Sequence, residues 1–196
     1  MVTFAFAVFF LIITPGPGVL SVAGVGSAFG FRQGASYIAG LFVGTNLVAL
    51  AVVSGLATIL LANQNIRIVL LVASVAYLVY LATRIAFAGS RIAFGKAESA
   101  PGFLAGVILQ TVNPKAYAVN TTLLTGFAFW PGNLAVETAL KFQIMNMVWL
   151  PIHFLWLYAG MVLHRLNLDP TVQRRVNIAM AASLLVVVAL ALAAPK

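Results

Sequence analysis

The sequence predicts an all-α integral membrane protein of about six transmembrane helices, arranged as two inverted three-helix repeats in which helices one and four are broken. Of its 196 residues, 63% are hydrophobic and 7% are charged. The mean hydropathy of +1.08 lies well above that of soluble domains. Apolar runs long enough to cross a bilayer recur along the chain. Proline-containing breaks interrupt two of these runs, and the equivalent prolines are about one hundred residues apart.

Six apolar runs predict six spans, since one span needs about 20 residues. The runs cover residues 2–28, 35–62, 66–88, 103–129, 142–163 and 176–194. The connections between them contain turn-forming or helix-breaking residues. These connections also hold the three acidic residues, Glu98, Glu137 and Asp169. Because no length remains for a soluble domain, we expect one transmembrane domain over residues 1–196, with repeat halves of about 1–95 and 96–196.

The first break is the run Thr14-Pro15-Gly16-Pro17-Gly18, inside the first apolar segment. Two prolines remove two backbone donors, and two glycines loosen the remaining helix. Lipid cannot satisfy the backbone groups that this break leaves unpaired, so other helices or a polar cavity must do so. Pro15, Gly16, Pro17 and Gly18 are therefore predicted to line a substrate pathway.

The second break lies at Asn113-Pro114 and is related to the first by an internal repeat. Pro15 and Pro114 are 99 residues apart, and Asn46 and Asn146 correspond at an offset of 100. Three spans per half would give the halves opposite orientations, as in many secondary transporters. Broken helices at matching positions of two halves indicate a binding site at the membrane midplane. Asn113 and Pro114, together with the two repeat-related asparagines, are thus further pathway candidates.

Lys115 lies near the middle of the fourth span, about 18 Å from its start at 1.5 Å per residue. A lysine at this depth costs roughly 2.5 to 3.5 kcal/mol on insertion scales, so a role that uses the charge is favoured. Its ammonium group would attract a substrate carboxylate or change protonation during transport. The alternative is a structural pairing with carbonyl groups that the break sets free.

His153 lies near the centre of the fifth span, on the same helical face as Asn146. A hydrogen-bonded core histidine is the default interpretation. Proton coupling is the alternative, since the reference pKa of histidine is near neutrality. A single mid-span histidine in a chain without cysteine predicts no metal site, and no cofactor is expected. With no acid pair inside the predicted spans, an enzyme is disfavoured, and a zwitterionic or neutral substrate fits better than a cationic one.

The net charge of +8 is interpreted as orienting the protein in the membrane, because no basic face for nucleic acid exists. One predicted side of the membrane holds seven basic residues, namely Arg32, Arg84, Arg91, Lys96, Arg165, Arg174 and Arg175. The other side holds three, namely Arg67, Lys141 and Lys196. The richer side is predicted to be cytoplasmic, which places both termini outside.

The motifs resemble those of the LysE/RhtB superfamily of bacterial amino-acid exporters over nearly the whole chain. The matching elements are Thr14 to Pro17, Gly30 to Gly34, the Gly40 and Gly44 pair, Ala76 to Leu81, Gly102-Phe103, Asn113 to Ala116 and the last helix. The resemblance implies amino-acid export across the bacterial inner membrane, driven by proton exchange. The chain departs from the family pattern at Gly18, where asparagine is common, and at Thr45 and Asn146, where many members carry aspartate.

These observations favour a secondary exporter of an amino acid or a similar small zwitterionic metabolite. A passive channel for small solutes and a non-transporting membrane assembly protein remain as alternatives. The expected partners are the lipid bilayer and the small substrate, and a homo-oligomer is left open. The substrate site is expected where Pro15 to Gly18 meet Asn113, Pro114 and Lys115. Spans two and five, which carry Asn46 and Asn146, would pack around it.

Overall fold

The computed structural model describes residues 1–87, 100–130, 132–165 and 169–193 and is helical without strands over these ranges. Its eight helices in the described part are α1 Val2–Ile13, α2 Pro17–Val53, α3 Leu56–Ala62, α4 Gln64–Ala86, α5 Phe103–Val112, α6 Pro114–Thr125, α7 Leu134–Arg165 and α8 Pro170–Ala193. Three stretches are long and apolar enough to cross a membrane by themselves, namely Pro17–Val53, Gln64–Ala86 and Leu134–Val162. The predicted all-α membrane fold is confirmed. Arg91, Lys96, Glu98 and Lys196 lie outside the described residues.

Both predicted breaks are present. Helix α1 ends at Ile13 and α2 begins at Pro17, with the backbone of Gly16 fully extended (φ −165°, ψ −179°). Helix α5 ends at Val112 and α6 begins at Pro114, with the intervening Asn113 extended (φ −77°, ψ 110°). In each case a proline occupies the first helical position, where its missing N–H costs no hydrogen bond and its fixed φ suits a helix start. The prolines therefore begin the second half-helix of each broken span.

The predicted connection of residues 30–34 is wrong in length, because Gly30 alone joins the first two spans. Its φ of +78° divides α2 into helical parts of residues 17–29 and 31–53. A Cβ at Gly30 would meet no atom within 4 Å, so glycine is required there for its left-handed backbone and not for space. Arg32 consequently lies on the second helical part.

Two further boundaries differ from the prediction. The second span ends at Val53, and the positive φ of Gly55 (+77°) turns the chain into the short helix α3. The next helix then begins after Asn63, whose side-chain oxygen accepts the N–H groups of Asn65 and Ile66 at 2.9 and 3.3 Å. Helix α7 begins at Leu134, eight residues before the predicted start of the fifth span at residue 142.

Helix α2 packs with its backbone directly against α5 and α7. A Cβ at Gly40 would lie 1.8 Å from the carbonyl oxygen of Phe103, and a Cβ at Gly160 would lie 2.1 Å from that of Ala23. A Cβ at Gly44 would lie 2.7 Å from the side chain of Gln110. The predicted packing role of Gly40 and Gly44 is confirmed, since close helix contact in membranes depends on such small residues. This packing brings both broken spans to one place.

The prediction that Glu137 lies in a connection is wrong, because it occupies the first turn of α7. Its carboxylate is 2.7 Å from the ammonium group of Lys141, one turn further along, and both side chains are buried. A buried carboxylate is stable here because a cation and backbone N–H groups satisfy it. Lys141 is accordingly part of an ion pair and does not stand at the membrane surface as an isolated charge.

Candidate functional site

The two breaks face a shared cavity with about 640 Å³ of empty space, including the part open to solvent. Helices α1, α2, α5, α6 and α7 contribute to its wall. The polar lining residues are Thr14, Thr45, Asn46, Gln110, Asn113, Lys115, Asn120, Asn146 and His153. The remaining lining residues are Leu11, Ile12, Gly16, Gly18, Val19, Ala49, Ala116, Val119, Phe142, Met145 and Trp149. A polar strip thus lies in an otherwise apolar cavity, as is typical of small-molecule sites.

Lys115 connects the two breaks. Its Nζ donates a hydrogen bond of 2.7 Å to the carbonyl oxygen of Thr14. A Cβ at Gly16 would lie 2.8 Å from Cδ and 2.9 Å from Nζ of this lysine, so the side chain lies directly across Gly16. The predicted pairing with a carbonyl freed at the break is therefore present. The lysine is half-buried and also lines the cavity, so its charge is available to a ligand there.

The first break leaves backbone donors beside this charge. Gly16 is the N-cap of α2 and makes no capping hydrogen bond through a side chain, while the N–H of Leu20 bonds to the Gly16 carbonyl at 3.1 Å. Pro17 has no N–H, so the N–H groups of Gly18 and Val19 are the donors left in the first turn. Together with the partial positive charge of a helix N-terminus, they favour an anion at this position.

The polar groups at the second break are hydrogen-bonded to one another. The side-chain oxygen of Asn113 accepts the backbone N–H of Lys115 at 3.1 Å, and its side-chain nitrogen donates to Gln110 at 3.4 Å. Asn113 is buried, and it ends α5 and begins α6. Its geometry fixes the start of the helix that carries Lys115. The two breaks are therefore chemically unequal, and the uncapped one is the better ligand site.

Asn46 and Asn146 form a reciprocal pair in the cavity wall. The side-chain nitrogen of Asn46 donates to the oxygen of Asn146 at 3.2 Å, and the nitrogen of Asn146 donates to the oxygen of Asn46 at 3.0 Å. Asn46 also donates to the carbonyl oxygen of Phe42 at 2.9 Å. The pair joins α2 to α7 and places the two repeat-related positions in direct contact.

His153 is buried and stacks on Trp149, with ring centroids 3.5 Å apart and an interplanar angle of 15°. Its Nδ1 lies 2.9 Å from the Trp149 carbonyl oxygen, which can only accept, so Nδ1 carries a proton. Its Nε2 lies 3.6 Å from the position that a Cβ on Gly18 would occupy. At Nδ1 the ring is a hydrogen-bonded core histidine, as the default interpretation predicts. Its Nε2 edge is directed toward the first break.

Most sequence-predicted site residues meet in this cavity. Gly16, Gly18, Asn46, Asn113, Lys115, Asn146 and His153 line it, and Pro15, Pro17 and Pro114 are outside its lining set. The candidate set missed Thr45, Gln110, Asn120 and Trp149. The signal that could have found the first three is their polarity inside apolar spans, where polar side chains face the protein interior or a cavity.

The titratable side chains among the described lining residues are Lys115 and His153, and no carboxylate is included. Within the described parts of the chain, no group of three His, Cys, Asp or Glu residues is placed to hold a metal ion. The cavity is therefore lined by positive charge, amide groups and the hydroxyl groups of two threonines.

Comparison with known protein families gives one finding. The model of a family described as LysE type translocator matches residues 9–195. No curated protein and no solved structure matches the chain significantly. The matched range includes both breaks and every residue that lines the cavity.

Proposed function

Since the chain belongs to the LysE type translocator family, we propose that it is a secondary exporter of an amino acid or a similar small zwitterionic metabolite. Export would take place across the bacterial inner membrane and be coupled to the proton gradient. Family membership supports a membrane exporter of amino acids or related compounds. The narrower substrate class and the coupling are our proposal, and the lining of the cavity supports them.

The observation that carries this proposal is the meeting of two broken helices at one cavity that contains Lys115. Half-helix ends at the centre of a bundle are the usual binding elements of secondary transporters. A substrate carboxylate would bind the ammonium group of Lys115 and the N–H groups of Gly18 and Val19. In the structure that ammonium group is bonded to the Thr14 carbonyl, so substrate would replace a neutral partner with a charged one. The bond to Thr14 is already charge-assisted through its donor, and a carboxylate adds the attraction of an opposite charge.

The reciprocal pair of Asn46 and Asn146 supports an inverted repeat with halves of about 1–95 and 96–196. Two equivalent residues that exchange identical hydrogen bonds are expected where a two-fold axis passes between the repeats. Alternating access would then be a rocking of one half against the other, around a site that stays in place. The cavity at the paired breaks would open to each side of the membrane in turn.

Lys115 and His153 are the proposed proton-coupling groups. They are contributed by α6 and α7, and both approach the first break, since Gly16 contacts one and Gly18 faces the other. A carboxylate bound at Lys115 would favour a protonated His153 through electrostatic attraction. Substrate and proton occupancy would in this way depend on each other.

We also propose that both termini face outward. The side predicted to be cytoplasmic holds Arg32, Arg84, Arg165, Arg174 and Arg175 among the described residues. The opposite side holds Arg67 and Lys141 among the described residues, so basic residues are more numerous on the side predicted to be cytoplasmic. Reporter tags at each terminus test the orientation, and a cytoplasmic N-terminus would contradict it.

Purified protein in proteoliposomes tests the function and separates it from a passive channel. A panel of radiolabelled amino acids would be loaded and their flux measured with and without an imposed pH gradient. We expect the flux to be saturable. Substrate should accumulate when the pH gradient is present, and an uncoupler should abolish this accumulation. Flux that follows only the substrate gradient, at every pH gradient tried, would contradict secondary transport and favour the channel.

A further inference from the structure

We infer that the cavity selects amino acids with uncharged side chains and discriminates against diamino acids such as lysine. This inference rests on the proposed function, since it names the substrate class of the same site. It rests on the charges and hydrogen bonds of the lining residues, which indicate where the carboxylate, the ammonium group and the side chain of a substrate would bind.

The charge content of the cavity disfavours a second cation. Lys115 supplies one positive charge, and the described lining residues contain no carboxylate to balance another. A substrate α-carboxylate would use Lys115, leaving the side chain of a diamino acid without a counter-charge. A buried charge without a partner is strongly destabilising. An uncharged side chain of the same length avoids this cost.

The amide groups of the wall are largely occupied by each other. Asn46 and Asn146 use both oxygens and both nitrogens in their mutual bonds. Gln110 accepts from Asn113. Each of these oxygens already accepts one hydrogen bond, and a neutral amide offers no counter-charge to a side-chain ammonium group. Beside them lie apolar residues suited to an aliphatic side chain, namely Ala49, Val119, Phe142, Met145 and Trp149.

Asn120 provides one acceptor for the α-ammonium group. Its side-chain nitrogen donates to the Ala116 carbonyl at 2.7 Å, which fixes the orientation of the amide. Its oxygen is buried and has no hydrogen-bond partner among the described residues, while Asn120 as a residue is 3% exposed and belongs to the cavity lining. A buried acceptor without a partner is costly and rare in folded proteins. A substrate ammonium group would donate a hydrogen bond to this oxygen. One unpaired acceptor suits a substrate that has one amino group.

The test compares lysine with 2-aminoheptanoate, which has a methyl group in place of the side-chain ammonium of lysine and is otherwise matched in length. Binding is measured as the concentration of each compound that raises the temperature of half-unfolding of the purified protein by the same fixed amount, since a ligand that binds the folded state stabilises it. We expect 2-aminoheptanoate to act at concentrations at least about tenfold lower than lysine, given the cost of an unpaired charge. An equal or stronger effect of lysine would overturn the inference and leave the exporter proposal intact.

Variants of the lining asparagines make the test specific. Asn146→Asp adds a carboxylate to the wall, and Asn46 can still donate to it. The lysine concentration required for stabilisation should fall by at least about tenfold relative to that of 2-aminoheptanoate. Asn46→Asp should act in the same way if the first variant does not fold. An unchanged ratio in a folded variant would overturn the inference. Asn120→Leu should weaken 2-aminoheptanoate more than heptanoate, which lacks the ammonium group, and equal weakening of both would contradict the role of Asn120. Stabilisation of the unmodified protein by none of the twenty standard amino acids, together with no flux in proteoliposomes, would instead contradict the proposed function itself.

Discussion

The ammonium nitrogen of Lys115 lies 2.7 Å from the carbonyl oxygen of Thr14, so the side chain at one helix break is bonded to the backbone of the other. The two residues are 101 positions apart in the chain and belong to different halves of the proposed repeat. The contact joins the parts of the structure where regular helix is interrupted. A ligand that binds Lys115 must therefore compete with this bond or share the ammonium group with it.

Substitution of Gly16 by alanine should reduce transport by displacing Lys115. The added Cβ would lie 2.8 Å from Cδ of the lysine, and the flexible side chain would move to relieve the clash. We expect substrate flux in proteoliposomes to fall at least about tenfold, because catalytic or transport geometry tolerates little displacement. Gly132→Ala is the matched control, since a Cβ there meets no atom within 4 Å.

The mechanism of this effect can be checked with a double-mutant cycle. In a Lys115→Ala background the clash is removed, so Gly16→Ala should cause little additional loss of flux or of thermal stability. Equal losses from Gly16→Ala in both backgrounds would show that the glycine acts independently of the lysine and would contradict the proposed contact.

Substitution of either asparagine alone should destabilise the protein by more than half of what the double substitution costs. Asn46→Leu leaves the Asn146 amide with unpaired groups, and the reverse holds for Asn146→Leu. Each single variant should be destabilised, and the double variant should be less destabilised than the sum of the two, with a coupling of about 1 kcal/mol. Reversible unfolding in detergent measures this coupling. Strictly additive losses would argue against an energetic link between the two positions.

The ion pair of Glu137 and Lys141 should stabilise the connection between α6 and α7. The carboxylate accepts the N–H groups of Trp130 and Phe129 at 2.7 and 3.3 Å. The ammonium group donates to the carbonyl oxygens of Leu124, at 2.9 Å, and Phe127. Glu137→Gln or Lys141→Met should each lower the free energy of unfolding, because the remaining charge is left without its ion-pair partner.

Exchange of these two charges distinguishes a simple ion pair from the arrangement in the structure. The variant Glu137→Lys with Lys141→Glu keeps both charges but brings an ammonium group to backbone donors and a carboxylate to backbone acceptors. We expect it to be no more stable than either single variant. Recovery of full thermal stability by the exchange would show that the backbone bonds contribute little.

Substitution of His153 by glutamine tests proton coupling separately from substrate binding. The ring is directed toward the first break at Gly18, and Lys115 is the other titratable group among the described lining residues. We expect His153→Gln to lose the stimulation of flux by a pH gradient while retaining exchange of labelled for unlabelled substrate without a gradient. Retention of the full pH-gradient response would assign the coupled proton to another group.

The two breaks and the position of Lys115 could be predicted from the sequence because their cause is local. Proline removes a backbone donor wherever it stands, so Pro17 and Pro114 determine where α2 and α6 begin. The contact between Asn46 and Asn146 was not visible in the sequence, although their correspondence was. The predicted repeat relates the two positions, but the packing of α2 against α7 decides whether they touch.

Other features depend on tertiary structure and could not be predicted. Glycine at position 30 permits a positive φ, but neighbouring residues do not reveal that one residue completes the whole turn between two spans. The charge of Glu137 suggested a connection in water, whereas Lys141 and the chain ahead of α7 supply its partners in the folded protein. The polarity of Thr45 and Gln110 indicates that they face the protein interior, but only the packing of α2 against α5 brings them to the same cavity.

The most direct test of the central claim is exchange of a labelled amino acid in proteoliposomes that contain either the unmodified protein or Lys115→Met, with Arg67→Met as an exposed basic control. The label is the standard amino acid that gives the highest saturable flux with the unmodified protein. We predict that Lys115→Met loses at least about 90% of the exchange, since the substrate carboxylate loses a charged partner. The variant should still fold, and Arg67→Met should exchange substrate at the unmodified rate. Exchange by a folded Lys115→Met protein at the unmodified rate would contradict a substrate site at the paired helix breaks.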